Sequence, residues 1–309
     1  MRHYTNNLAM IGLLATALGC GSGKGRSDEE LDGLVTARKV VAEPIAIDKA
    51  VSDVAELRRA LLQPHHVVAD TLGSHAFRGS SSVRLSTGSG ADPVETLDDE
   101  TAIDFAASGA FRASLDNSRE YGRHVVYSGD TLYLQPRFGK YHERAPTDPD
   151  EPGHIRDDIY ATFGDYFDLV SAAAKLEDRG AVTHEGRAAH AVGFTLGEQR
   201  KREYEASQKL WRNDAVVTEL SGEVILDDAT GAALSGTLSG SVAFARDGTN
   251  YTMAITAKHA ISAVGTDPSI EPPPDDQTVA TRVRSHELEQ RDSLLEGIAP
   301  PLRKAPAPP

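Results

Sequence analysis

The sequence predicts an α+β protein built on a strongly curved antiparallel sheet covered by helices. Three patterns predict it. Ile103, Phe105, Ala107, Phe111, Ala113 and Leu115 alternate with Asp104, Ser108, Arg112 and Ser114, the period of two that puts one face of a strand inward. Residues 216–261 hold three further alternating stretches of about 12 residues each, twice the usual strand length. Between these regions, Asp157–Leu176 changes to helical spacing, with Ile159, Phe163, Phe167 and Val170 on one stripe beside Tyr166.

The elements follow in order. Met1–Asn7 carries Arg2 and no acid, and Leu8–Leu18 is a short apolar run. At about 11 residues it is too short to span a bilayer, which takes about 20, but it has the length of a signal-peptide core. It leads through Ala17-Leu18-Gly19 into Cys20, the single cysteine of the chain. Residues 1–19 therefore read as a leader. Gly21–Asp32, rich in Gly, Ser and charge, reads as a flexible tether within 20–44.

Asp48–Gln63 reads as a helix capped by Asp48, with Val51, Val54, Leu57 and Leu61 on one face and Pro64 as its stop. Tyr121–Tyr127 and Thr131–Gln135 flank Ser128-Gly129-Asp130, a hairpin turn, and Arg137–Arg144 reads as the next strand. Thr147–Gly153 is a loop by composition, and Gly180 reads as the stop of the aromatic helix, which should lie on the sheet.

The three long strands close the body. Val216, Thr218, Leu220, Val224 and Leu226 read as one face. Leu234, Leu238, Val242 and Phe244 follow the Asp227–Gly231 turn, and Tyr251, Met253, Ile255 and Ile261 follow the Arg246–Asn250 turn. Strands this long twist and coil, and Gly222, Gly236 and Gly240 fall where such a sheet wants no side chain. Pro272-Pro273-Pro274 breaks the chain. Thr278–Leu295 then reads as a charged helix, and Ala299–Pro309 as a disordered Pro-rich tail.

Composition excludes several functions. The 309 residues carry 32 Lys plus Arg against 46 Asp plus Glu, a net charge of −14 that repels phosphate backbones, so no nucleic-acid partner is expected. One cysteine permits neither an intramolecular disulfide nor a thiolate metal cluster.

No motif supplies chemistry. His184-Glu185 and His190 imitate a zinc motif, but the second histidine comes six residues on, not four, and six residues of strand span about 20 Å. His286-Glu287 lacks a second histidine. His65-His66 follows Pro64 and reads as a solvated loop. Gly21-Ser-Gly-Lys24-Gly25 lacks the spacing of a phosphate loop, and Asp148-x-Asp150 lacks the Glu that closes a calcium loop, Ile159 standing in its place. There is no nucleophile elbow, and Asp227-Asp228 reads as a turn. The expectation is no metal, no cofactor and no enzyme.

Two resemblances give these readings a context. Ala17-Leu18-Gly19-Cys20 resembles the lipobox of bacterial lipoproteins, with Ala17 where Leu is usual. The resemblance implies that Cys20 is acylated and holds the protein on a membrane of the cell envelope, facing the periplasm or cell surface. The order helix, meander, central helix, meander resembles the LolA/LolB and LppX/LprG superfamily over residues 45–273. It does so through Val182–Ala188, Gly222–Gly231, Ile261–Gly265 and Ile270–Pro273. That resemblance implies an unclosed β-barrel whose cavity holds lipid or acyl chains, with residues 274–309 outside it. The side chains expected to face such a cavity are Phe105, Phe111, Phe163, Phe167, Val170, Leu238, Val242, Met253 and Ile255. The alternatives are an adaptor lipoprotein with a filled core that binds another protein, and an envelope hydrolase.

Overall fold

A single polar residue divides the first predicted helix. Asp53 accepts a hydrogen bond from the Ala55 backbone N–H at 2.8 Å and so starts a new helix instead of continuing the old one. In place of one helix over 48–63 there are α1 (Ile47–Ala50) and α2 (Val54–Leu61), and Asp48 lies inside the first turn of α1 instead of capping it. The computed structural model describes residues 44–88, 93–204, 207–246 and 248–280. The leader, Cys20, the tether, the rest of the charged helix and the Pro-rich tail lie outside the described residues.

Pro64 stops α2 as expected, but it also opens α3 (His65–Leu72). The strands then follow as β1 (His75–Thr87), β2 (Glu95–Phe105), β3 (Phe111–Asn117), β4 (Gly122–Ser128), β5 (Thr131–Pro136) and β6 (Tyr141–Arg144). Helices α4 (Glu151–Tyr160) and α5 (Thr162–Val170) separate these from β7 (Ala174–His184), β8 (Arg187–Leu196), β9 (Val216–Asp227), β10 (Ala233–Arg246), β11 (Thr249–Ser262) and β12 (Thr278–Ala280). One twelve-stranded sheet results, in the order β12-β6-β5-β4-β3-β2-β1-β11-β10-β9-β8-β7. Successive strands from β2 to β6 and from β7 to β10 pair antiparallel, and β12 pairs parallel with β6. Among the described residues the sheet ends in two edges, β12 and β7, and does not close.

The chain falls into two compact units. One comprises the described residues through Gln63, Val83–Thr96 and Gly164–Ala257. Here the aromatic helix does lie on the sheet: Phe167 of α5 meets Phe194 of β8 edge-on at 5.2 Å, and Val170 comes within 3.6 Å of where a Gly240 Cβ would stand. Gly222 pairs with Phe194, and a side chain there would overlap that ring and the Thr237 carbonyl oxygen. This glycine makes room for an aromatic ring.

Three expectations for this unit need correction. The aromatic helix ends at Val170, and a short 3-10 turn (Ser171–Ala173) leads into β7, so Leu176 is strand. Gly180 is the bulge of β7, at φ +85°, where pairing with β8 skips a residue. A helix stop and a bulge both want a residue at positive φ, so the glycine does not tell them apart. On β9 a second skip, opposite Ser241 and Val242, leaves Thr218 extra and inverts the alternation. Val217 is buried there, while Val216 and Thr218 point outward.

The other unit comprises Pro64–Ser82, Leu97–Phe163 and the described residues from Lys258. The alternation over 103–115 is two strands, β2 and β3, joined by a tight turn in which Ala106 N–H meets the Ala110 carbonyl at 2.9 Å. Phe105 and Phe111 are six residues apart, an even number, so the alternation passes through the turn without a break. The predicted hairpin at Gly129-Asp130 is present, both residues at positive φ. The strand predicted over 137–144 is confined to β6. Part of the predicted loop is helix, because α4 begins at Glu151, whose carboxylate takes Arg144 and the Thr147 N–H. Thr278–Ala280, read as the start of a helix, is strand β12.

Candidate functional site

The nine side chains expected to face a cavity are all buried, at 8% exposure or less. They fall in both units. Phe167 and Val170 of α5, with Leu238 and Val242 of β10 and Met253 and Ile255 of β11, belong to the first. Phe105, Phe111 and Phe163 belong to the second. In the first unit they are joined by Phe194, which sequence reasoning missed: it stands three residues after Ala191, out of step with the buried Ala189 and Ala191 of its strand.

In the second unit the phenylalanines share their surroundings with polar groups that the sequence did not single out. His65, read as solvated, is fully buried. Its ring lies 5.1 Å from that of His75, 5.6 Å from Phe105 and 5.4 Å from Tyr160. Phe163 stacks on His259 at 4.4 Å, and Phe77 packs against Tyr160 at 4.9 Å. Helix α3 carries His65 inward because Val68 and Leu72, three and seven residues on, occupy the same buried face.

The hydrogen bonds assign the protons. His75 Nδ1 lies 2.7 Å from the Gly73 carbonyl oxygen, which can only accept, so that nitrogen carries the hydrogen. His75 Nε2 is then an acceptor, and His65 Nε2 donates to it at 3.1 Å. His65 Nδ1 is left as a buried lone pair with no partner among the described residues. Burial holds His65 well below the ordinary imidazole range, with the charges of His75 and Arg156 adding to it. Burial lowers His75 as well, and its bond to Gly73 opposes the shift. Both rings are neutral at pH 7.

Arg156 of α4 completes the group. Its guanidinium sits 4.6 Å from the centre of the Phe105 ring and 5.0 Å from that of Phe111, a cation held on two aromatic faces. Its Nε and Nη1 are buried without a hydrogen-bond partner among the described residues. Burial lowers its pKa, and the nearby charges of Asp157 and Asp70 pull the other way. Tyr160, wholly buried, has its phenol pushed far up by desolvation.

His184, Arg187, His190 and Asp227 make structural contacts. His184 and Arg187 close a two-residue turn of Glu185 and Gly186, both at positive φ, so the stretch taken for one strand is the β7–β8 hairpin. His190 pairs with Asp178 at 2.6 Å. Asp227, buried in its turn, takes Arg187 through both oxygens at 2.8 and 2.9 Å and accepts from Thr230 Oγ1 at 2.7 Å. Among the described residues no group of three or more His, Cys, Asp or Glu could hold a metal ion. None of their helices is long and apolar enough to cross a membrane.

An open, mostly antiparallel sheet with helices defines the class of fold, and the chain is similar to proteins of the LolA and LppX type. LprF from Mycobacterium bovis matches 72% of this chain and 99% of its own at 16% identity, with a TM-score of 0.27. The lipoprotein LppX from Mycobacterium tuberculosis matches 69% of this chain and 98% of its own at 12% identity and a TM-score of 0.28. A LolA superfamily protein from Nitrosomonas europaea matches 69% and 96% at 6% identity and a TM-score of 0.18. Similarity at this level transfers no ligand or partner to this chain. No family model and no curated protein matches it.

Proposed function

We propose that this chain is a lipid-anchored protein of the bacterial cell envelope, held through acylated Cys20, that binds a lipid or other hydrophobic ligand without covalent chemistry. One observation carries the ligand reading. Buried polar atoms in proteins are almost always paired. Here the Arg156 guanidinium and His65 Nδ1 have buried atoms with no partner among the described residues, in an aromatic setting that includes Phe105 and Phe111. An amphiphile answers both needs, its chain against the rings and its polar end bringing an acceptor to the Arg156 donors and a hydroxyl or N–H to the His65 Nδ1 lone pair. Each methylene buried contributes about 0.8 kcal/mol, so a long chain binds by burial alone. Acylation at Cys20 adds more than one chain, the condition for stable anchoring.

The rival reading, an adaptor lipoprotein with a filled core, draws on the first unit, where Phe167 already meets Phe194 and Val170 lies close against Gly240. Organic extraction of the purified full-length protein, followed by mass spectrometry, separates the two. A stoichiometric co-purifying lipid is the expected result. Its absence, from protein purified without detergent exchange, overturns ligand binding in favour of the adaptor.

A further inference from the structure

Three arginines from separate stretches of chain converge on one carboxylate, that of Asp168 on α5. Arg58 of α2 donates from Nε to Oδ1 at 2.5 Å. Arg202 donates from Nη2 to the same oxygen at 3.1 Å, and Arg212 from Nη1 to Oδ2 at 3.3 Å. Arg202 is tied further, with Nη1 donating to the Asp168 carbonyl and to Ser171 Oγ, each at 3.0 Å. Burial alone would raise the Asp168 carboxyl, but Arg58 and Arg202 outweigh it, so the group is ionised. Three positive charges therefore meet one negative charge. Asp165, one turn earlier on α5, is exposed, and counting it still leaves a positive excess. The excess stands out in a chain whose net charge is −14.

The guanidiniums are held in place and still have donors to give. Arg202 and Arg212 lie 5.1 and 5.6 Å from the Tyr204 ring, and Arg212 lies 5.7 Å from that of Trp211. The Arg58 side chain is 37% exposed and that of Arg202 29%, against 12% for Arg212. A guanidinium has five N–H donors. Arg58 places one of them on Asp168, and Arg212 Nε is buried with no partner among the described residues. One carboxylate with two oxygens cannot employ three such forks. The like charges repel one another, and a second anion would relieve that repulsion.

We propose that Arg58, Arg202 and Arg212 form a phosphate-binding site beside Asp168. A phosphate monoester or inorganic phosphate brings close to two negative charges and three acceptor oxygens, which matches the excess charge and the number of forks. A carboxylate brings one charge and two oxygens. The site uses none of the nine apolar side chains, so it does not depend on the hydrophobic-ligand reading.

The test is calorimetric titration of the full chain with inorganic phosphate, and separately with dihexanoyl phosphatidic acid below its micelle concentration. Matched sodium chloride and dihexanoyl phosphatidylcholine serve as references. The expected result is saturable binding of a phosphate monoester. It weakens at least tenfold in Arg212→Gln and tightens at least tenfold in Asp168→Asn, where the competing carboxylate becomes a neutral amide. A cluster that is only a structural clasp gives no saturable binding, and Asp168→Asn then does nothing but lower the melting temperature. Equal binding of both probes supports a site for a free phosphate group, and binding of phosphatidic acid alone supports a lipid headgroup. No saturable binding of either, or binding unchanged in Arg212→Gln, overturns the proposal, and the Arg212→Gln arm remains decisive if Asp168→Asn does not fold.

Discussion

Acidification from pH 7.5 to 5 tests the neutral imidazole pair of α3 and β1. In the unfolded chain a histidine titrates near pH 6.5, so at pH 5 it carries a proton. His65 in the folded protein is held well below that range by burial, so the folded state takes up this proton only at lower pH than the unfolded chain. The unfolded state therefore binds more protons, and stability must fall as the pH falls. The loss begins near pH 6.5 and steepens on acidification toward a limiting slope of about 1.4 kcal/mol per pH unit for one such histidine. His75 is lowered in the same direction and adds to the slope. Burial raises the Asp99 carboxyl, which acts in the opposite sense but equally in wild type and variant. Asp168 and Asp227 are held below their ordinary value, and Glu151 is held down to about 2 by Arg144, so their contribution is lost only at lower pH. Urea unfolding of wild type and His65→Gln between pH 5 and 7.5 is the assay. The amide N–H of Gln can replace the donor to His75 Nε2 while the titrating group is gone. The variant is expected to have a shallower slope below pH 6.5, by up to about 1.4 kcal/mol per unit. Parallel pH profiles for the two proteins would refute the assignment of a neutral buried His65.

Three further outcomes follow, two of them from particular contacts. Gly164→Ala places a methyl group over the Leu61 carbonyl, 3.0 Å from its carbon, so α2 and α5 must separate; a loss of about 1–3 kcal/mol in urea unfolding is expected, and an unchanged midpoint refutes the close approach. Phe194→Ala removes the fully buried ring that fills the space over Gly222 and meets Phe167; it should cost about 3–5 kcal/mol, measured the same way, and a cost under 1 would show the ring unpacked. Cys20→Ser should move the protein from the membrane fraction to the soluble fraction on ultracentrifugation, and persistence in the membrane pellet would show that another feature anchors it.

The elements legible in the sequence were those whose signal is local. The hairpin at Gly129-Asp130 and the strands over 216–227, 233–246 and 249–262 follow from alternation and turn residues, and the structure has them. The helical stripe of Phe163, Phe167 and Val170 was legible for the same reason. The errors arose where one local signal serves two structures. Gly180 marks a bulge and not a helix end, and the even spacing of Phe105 and Phe111 conceals a turn. Pro64 is both the stop of α2 and the start of α3.

The pattern of apolar residues, read alone, determined the class of fold and many of the side chains that would be buried, because burial of a regular strand or helix face follows spacing until a bulge such as that at Thr218 shifts it. Tertiary structure decided which polar groups joined them. His65 and His75 are ten residues apart on a helix and a strand, and Arg156 comes from a helix more than 80 residues later. Likewise Arg58, Arg202 and Arg212 share Asp168 although no periodicity links them. A charge becomes costly or useful according to what the fold brings within a few ångströms of it, and that distance is not written in the order of the residues.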